Sequence, residues 1–319
     1  MIQPAEQFVL ADVGGTNVRF AVLNDGVLGT VAHLAVRDYA CFGDALAAFL
    51  ERQKTKIGGA IFAVAGVVKG ERCELTNFPW VVDGAELRTR FGLASVRIVN
   101  DFEAVAWSLP RLAGSDLRKL GGAEPLSEAP MLALGPGTGL GVACYVPSVS
   151  GGFVLRSEGG HATLPSGTAS EDAIIAHLRQ QFIHVSAERV LSGAGLENLY
   201  RAIAAIDRVT VPQRSAAEIT DAALGDRCPT SRAALDMFCA LLGEVAGNYA
   251  LALGAQGGVY IAGGIIAHIG DYLPRSQFRA RFDAKGRMAP YVAATPVYLI
   301  MHGDPAFVGL QALAARSSP

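Results

Sequence analysis

The first apolar stretch of the chain, Phe8 to Val13 (FVLADV), runs into Gly14-Gly15-Thr16-Asn17 and then into a second stretch in which Val18, Phe20 and Val22 alternate with Arg19, Ala21 and Leu23. β-Branched and aromatic residues at a period of two predict a strand with one buried face, so these glycines join two strands in a β-hairpin. That separates the loop from a P-loop and from a dinucleotide turn, both of which pass from a strand through glycines into a helix. No lysine in the chain follows a glycine, which removes the GK[ST] of a Walker loop, and no GxGxxG occurs.

The pattern then alternates between helical and extended periods. DALAAFLERQ has helical apolar spacing, while GAIFAV and VRIVND are short β-rich runs, the second ending in Asn100 and Asp101. Phe102, Val105, Ala106 and Leu109 fall at i, i+3, i+4 and i+7, predicting a helix that closes near Pro110. The polar stretch LAGSDLRKLGGAEPLSEAP reads as the boundary region, after which MLALGPGTGLGVACYV repeats the opening design: strand, a loop with Gly137, Thr138 and Gly139, strand. Two such hairpins read either as two related domains facing a shared ligand or as two unrelated glycine turns. Farther on, Thr168 with Glu171 forms a capping-box signature ahead of Ile174, Ile175, Leu178 and Phe182 on one helical face. The rest is largely helical, including Leu235, Phe238, Leu242, Val245 and Tyr249. Strand-like GGVYIAGGI and PVYLIM follow, then HGDP and the amphipathic FVGLQALAA.

At 319 residues the chain has room for about two domains. A net charge of −2, a pI near 6.3 and no basic run leave no footprint for nucleic acid or an anionic membrane. MIQPAEQ lacks the basic start and apolar core of a signal peptide, and the apolar segment MFCALLGEVAGNYALALG is interrupted by Glu244 and Asn248, so it reads as a buried helix. Cys41, Cys73, Cys144, Cys228 and Cys239 show no CxxC spacing, which argues against a disulfide framework or zinc cluster and for reduced thiols in a cytoplasm.

Three short segments carry candidate chemistry. Asp101, between a strand and a helix, is placed to take a proton from a hydroxyl attacking phosphorus; equally, Asn100 or Asp101 is placed to cap the helix. Glu158 and His161 flank two glycines, and a carboxylate acceptor beside an imidazole suits adjacent sugar hydroxyls, the alternative being a solvated loop. Glu188 reads either as a first-turn acid favoured by a helix dipole or as a group reaching a substrate hydroxyl. His177 and His184, in or near apolar helical sequence, read as structural.

Taken together, DVGGTN, TNFPW, VND, GPGTGLG, EGGH, HVSAERVLSG and IAGGI, in this order and at these separations, resemble the bacterial glucokinase family, within the sugar-kinase, actin and heat-shock chaperone superfamily. The resemblance spans about Val9 to Leu313. It implies a two-domain actin-like (ribonuclease H-like) α/β fold with a mixed five-stranded sheet in each domain and the active site in the interdomain cleft. The smaller domain is expected over residues 1–111, completed by 302–319, and the larger over 112–301. The activity implied is ATP-dependent phosphorylation of D-glucose at the 6-hydroxyl, giving glucose 6-phosphate and ADP.

By the same resemblance, Ala11, Asp12, Val13, Gly14, Gly15, Thr16 and Asn17 and the loop Gly137, Thr138 and Gly139 hold the phosphates of ATP, and Gly263 and Gly264 admit the adenosine. Asp12 holds Mg²⁺, while Asn100, Asp101, Glu158, His161 and Glu188 bind the hexose, with Asp101 as the base. A homodimer is what relatives suggest. Val67 stands where relatives usually carry proline, a departure expected to touch none of these residues, and the cysteine-rich zinc motif of the sister repressor and kinase group is absent. Two other readings remain at this point: a kinase of the same fold for another hexose or phosphoryl donor, and a non-catalytic nucleotide switch.

Overall fold

The computed structural model describes residues 7–53, 57–76 and 78–317. Residues 1–6, on which the signal-peptide reading falls, and Asn77 of TNFPW lie outside that set. The chain divides into two compact units, Met1–Leu112 with Gly303–Pro319, and Ala113–His302.

The first unit contains β1 (Phe8–Val13), β2 (Asn17–Asn24), β3 (Val27–Leu28), β4 (Ala32–Ala35) and β5 (Gly59–Val64), then β6 (Val68–Lys69), β7 (Arg72–Glu74), β8 (Val81–Asp83) and β9 (Ser95–Asn100). β1 pairs antiparallel with β2 and parallel with β5, and β5 pairs parallel with β9. Every residue of β1 and β5 is buried, as continuous apolar runs in the middle of a covered sheet should be. β6, β7 and β8 form a separate small sheet. Helices α1 (Phe42–Leu50), α2 (Gly84–Phe91) and α3 (Asp101–Ser108) complete this part of the chain. The core is knit by aromatic rings: Phe42 meets Phe62 edge-on at 4.9 Å and Phe20 stacks on Phe49 at 5.1 Å.

The second unit contains β10 (Leu117–Gly121), β11 (Met131–Pro136), β12 (Leu140–Val146), β13 (Phe153–Ser157), β14 (Gly258–Ile261) and β15 (Val297–Ile300). Its helices are α4 (Ala169–Leu178), α5 (Gly193–Ile206), α6 (Ala216–Leu224), α7 (Pro229–Leu253), α8 (Gly264–Ile269), α9 (Phe278–Asp283) and α10 (Ala289–Ala294). The path β13-β12-β11-β14-β15 repeats the path β3-β2-β1-β5-β9 of the first unit, with the same alternation of antiparallel and parallel neighbours. The two glycine hairpins therefore open two sheets of one design.

Each sheet has six strands rather than the five expected. In the first, β3 and β4 share one edge of β2, pairing at Leu23–Asn24 and Asn17–Phe20, so a single edge position is split in two. In the second, the extra strand is β10, antiparallel to β15 and drawn from the polar stretch that read as a boundary. An edge strand carrying Arg118 and Lys119 lacks the apolar alternation of a central one. The capping signature at Thr168 is half realised: the Thr168 hydroxyl accepts from the Glu171 N–H at 3.3 Å, but the Glu171 carboxylate takes the Gly167 N–H at 2.6 Å and Arg281 at 2.9 Å. A guanidinium offers that carboxylate more than the cap's backbone N–H does.

The C-terminal helix Pro305–Ser317 packs on α3, which carries Asp101. Gly309 lies directly against the Ala104 carbonyl, so the helices meet backbone to backbone with no space for a Cβ. Farther along, the Arg316 guanidinium lies 4.9 Å from the centre of the Trp107 ring. Gly309→Ala is expected to cost about 1–3 kcal/mol of stability by overpacking this contact. Urea unfolding measures the cost, and an unchanged midpoint would contradict the close packing.

Candidate active site

In the first unit the parallel strands end in register: Val13 lies beside Val64, and Val64 beside Asn100. The loop after β1 and the start of α3 therefore emerge from the same edge of the sheet, the carboxyl end where α/β sheets bind their ligands. The register between β1 and β2 also sets Asp12 directly opposite Arg19. Arg19 donates one guanidinium nitrogen to Asp12 and another to Asp304, the residue preceding the C-terminal helix. Burial pushes the Asp12 carboxyl above its ordinary value; Arg19 pulls it back, and nearby Asp304 adds to the upward shift.

The Gly14 N–H donates to the Asn17 carbonyl at 3.0 Å and the Thr16 carbonyl accepts from Val36 at 3.0 Å, so the turn is fixed by its own backbone and by the segment after β4. Among the described residues, the N–H groups of Gly15 and Thr16 have no partner within the chain. These are the donors the loop can offer an anion. Ala11 and Val13 are fully buried strand residues whose side chains belong to the core, so they hold the loop in place and present no group of their own. Thr16 and Asn17 are exposed.

Asn100 is the cap of α3. Its Oδ1 accepts from the N–H groups of Phe102 at 2.9 Å and Glu103 at 3.3 Å, while its Nδ2 donates to the Gly66 carbonyl at 3.1 Å. Much of this amide's hydrogen-bonding capacity thus serves the fold. Asp101 follows at the first position of the helix, half-buried, with Oδ1 accepting from the Phe102 N–H at 2.9 Å. Next to this contact stands the departure at Val67, for which no contact with a site residue is seen among the described residues. Exposed Val67 itself follows the glycine whose carbonyl fixes Asn100, so that turn is joined to the site.

In the second unit, Gly137 donates its N–H to the Gly139 carbonyl at 2.8 Å and accepts from the Gly193 N–H at 2.9 Å. Thr138, at the tip, is exposed, and among the described residues its N–H has no partner within the chain. Glu188 lies in the short turn Ala187–Arg189 rather than in the first turn of a longer helix, so the dipole reading does not hold. Its Oε2 accepts from the Leu140 N–H at 2.9 Å and fills the space a Cβ on Gly139 would need; its Oε1 lies 3.9 Å from His161 Nδ1. A side chain at position 139 would displace the Glu188 carboxylate from this place.

The Glu158–His161 turn is tied down at both glycines. The Gly159 N–H donates to Ser157 Oγ at 2.9 Å, its carbonyl accepts from the Tyr249 hydroxyl, and Gly160 packs against the Leu140 carbonyl. Glu158 and His161 are exposed, and His184 bonds the His161 carbonyl at 2.9 Å, the structural role expected of it. The structure thus brings Gly139, Glu158, His161 and Glu188 together in one unit, and Asp12, Asn100 and Asp101 in the other. Gly263 adopts φ +109° and lies against the Pro136 carbonyl, so its lack of a side chain serves the packing of β11; Gly264 has open space over its Cα.

Among the described residues no three His, Cys, Asp or Glu side chains converge to form a metal cage. The hard carboxylate of Asp12 nevertheless fits Mg²⁺, which keeps several waters and takes phosphate oxygens beside one or two carboxylates. Sequence reasoning missed Arg19, although the hairpin register already sets it opposite Asp12. It also missed Asp304 and Tyr249, for which no local signal exists.

The glucokinase family profile matches residues 9–317 of this chain. The glucokinase of Paramagnetospirillum magneticum is 46% identical over 313 residues, covering 97% of this chain and 98% of that protein. The crystal structure of a glucokinase from an Antarctic psychrotroph superposes with a TM-score of 0.86 at 33% identity, covering 98% of this chain and 99% of that one. That of the Balamuthia mandrillaris enzyme in complex with glucose gives 0.85 at 21% identity, covering 98% and 94%, a likeness of fold. The sheet design, the paired glycine hairpins and these full-length matches agree, and the chain belongs to the glucokinase family.

Proposed function

We propose that this protein transfers the γ-phosphoryl group of ATP to the 6-hydroxyl of D-glucose, giving glucose 6-phosphate and ADP and feeding glycolysis. The observation that carries this reading is the state of Asp101. It stands at the carboxyl end of β9, half-buried, while the capping of α3 is carried by its neighbour Asn100. A carboxylate so placed accepts the 6-hydroxyl proton as that oxygen attacks the γ-phosphorus and the bond to the ADP oxygen breaks. General-base help of this kind contributes roughly 10²- to 10⁴-fold, with positioning and electrostatics supplying most of the remainder.

The groups assigned to the substrates are taken unit by unit. The N–H groups of Gly15, Thr16 and Thr138, without partners among the described residues, and the hydroxyls of Thr16 and Thr138 suit phosphate oxygens, and the open backbone at Gly264 suits the adenosine. Glu158, His161 and Glu188, with Asn100 and Asp101, supply acceptors and donors for adjacent sugar hydroxyls. Bound through Asp12 and water, Mg²⁺ would neutralise charge on the β and γ oxygens. We place the reaction in the cytoplasm: no described helix is long and apolar enough to cross a membrane, and all five cysteines are free thiols. A homodimer is the assembly we infer from the resemblance.

A kinase for another hexose, such as mannose or glucosamine, would use the same groups, since discrimination rests on hydrogen bonds at single sugar carbons. A non-catalytic nucleotide switch would need neither Asp101 nor the sugar set. ADP release measured over a panel of hexoses, with ATP and with polyphosphate as donors, is expected to be fastest with glucose and Mg-ATP. Turnover with a different sugar and none with glucose would overturn the assignment.

Asp101→Asn keeps an oxygen for the Phe102 N–H but removes the proton acceptor. It is expected to lower kcat by about 10²-fold or more while nucleotide affinity stays near that of the parent. Substantial remaining turnover would remove Asp101 from the role of base.

A further inference from the structure

Leu140, through which the second glycine loop enters β12, has both backbone groups engaged by segments assigned to the hexose. Its N–H donates to Glu188 Oε2 at 2.9 Å, and its carbonyl lies against Gly160 of the Glu158–His161 turn, where no side chain fits. The same Glu188 oxygen fills the space beside Gly139. The other end of the loop is held from the same stretch of chain, because the Gly193 N–H donates to the Gly137 carbonyl at 2.9 Å and the Ser192 hydroxyl donates to the Glu188 carbonyl at 2.9 Å. The carboxylate is thus divided: Oε2 is committed to the loop, while Oε1 faces His161 at 3.9 Å.

We propose that Glu188 is a positioning residue for the Gly137–Gly139 phosphate loop in addition to a hexose ligand. One carboxylate then sets the shape of the nucleotide grip and reads the sugar. The inference rests on the functional reading above and deepens it, since it makes the two substrates share a group. An ionised acceptor on a backbone N–H is among the stronger hydrogen bonds, and the N–H it orients lies one residue beyond the loop. Because linkage is reciprocal, a sugar that engages Glu188 changes nucleotide affinity by the same factor as the nucleotide changes sugar affinity.

A residue serving the hexose alone would leave nucleotide binding untouched when no sugar is present, which separates the two roles. The full chain and its Glu188→Ala, Glu188→Asp and Glu188→Gln variants would be titrated with the non-hydrolysable ATP analogue AMPPNP and Mg²⁺ by calorimetry, without glucose. Glu188→Ala, and Glu188→Asp whose shorter arm withdraws the carboxylate from Leu140, are expected to weaken AMPPNP roughly 10-fold, the size of one charged hydrogen bond. Glu188→Gln, which keeps an oxygen for the Leu140 N–H, is expected to stay within about threefold of the parent, since a neutral acceptor loses only the added strength of the charge. All three should raise the KM for glucose. Parental AMPPNP affinity in Glu188→Ala and Glu188→Asp, alongside a raised glucose KM, would overturn the proposal and leave Glu188 a sugar ligand only. If the unmodified chain itself failed to bind AMPPNP, the functional reading beneath the proposal would fall with it.

Discussion

The guanidinium of Arg19, set between the carboxylates of Asp12 and Asp304, is the interaction on which the first unit depends. Asp12 is almost wholly buried, and a buried carboxylate without a partner would be driven towards its neutral form. Arg19 opposes that, and its planar fork reaches a second carboxylate at the same time. Through Asp304 the pairing reaches the C-terminal helix, and that helix presses through Gly309 on the backbone of α3, at whose first position Asp101 stands. The Asp12–Asn17 loop and Asp101 are thereby parts of one mechanically continuous arrangement. Two carboxylates share the one guanidinium, and the hard oxygens they bring together suit a divalent cation escorting phosphates.

The second unit solves the same problem with other means. Its sheet repeats the strand order of the first, and its hairpin also closes on itself through a glycine N–H, yet Gly141 and Leu140 rather than an arginine stand opposite the strand end at Gly135 and Pro136. The loop is braced from outside by Glu188 on the Leu140 N–H, by Gly193 on the Gly137 carbonyl and by Gly160 on the Leu140 carbonyl. One design of sheet therefore carries a loop braced by an arginine in one unit and a loop braced by a glutamate in the other. The two loops also differ in their neighbours: Asp12 is paired with Arg19, whereas Glu188 lies beside His161.

Much of this was legible in the sequence wherever the signal was local. Alternation at a period of two marked the first hairpin, the repeat of its strand–glycine loop–strand design marked the second, and the helical spacing of Phe102, Val105 and Ala106 marked α3, which ends at Ser108 just before Pro110. Competition between equivalent groups was not legible. Asn100 and Asp101 are both good cap residues one position apart, and only the folded geometry, with Asn100 Oδ1 on the Phe102 and Glu103 N–H groups and its amide held by the Gly66 carbonyl, shows which one serves. Long-range pairing was not legible either: Arg19 and Asp304 are 285 residues apart, and Glu188 and Leu140 are 48 apart. The glycines teach the same point. Gly139 and Gly263 were expected to clear space for the nucleotide, yet the space each leaves is taken by the protein itself, by Glu188 and by Pro136.

The mechanical link through Arg19 is tested most directly by amide hydrogen exchange on the full chain and on Asp304→Ala. If Arg19 joins loop, base and C-terminal helix, the variant will exchange faster in the Asp12–Asn17 loop and in the first turn of α3, as well as around residue 304. Faster exchange confined to the C-terminal helix, with the loop and α3 unchanged, would contradict the account.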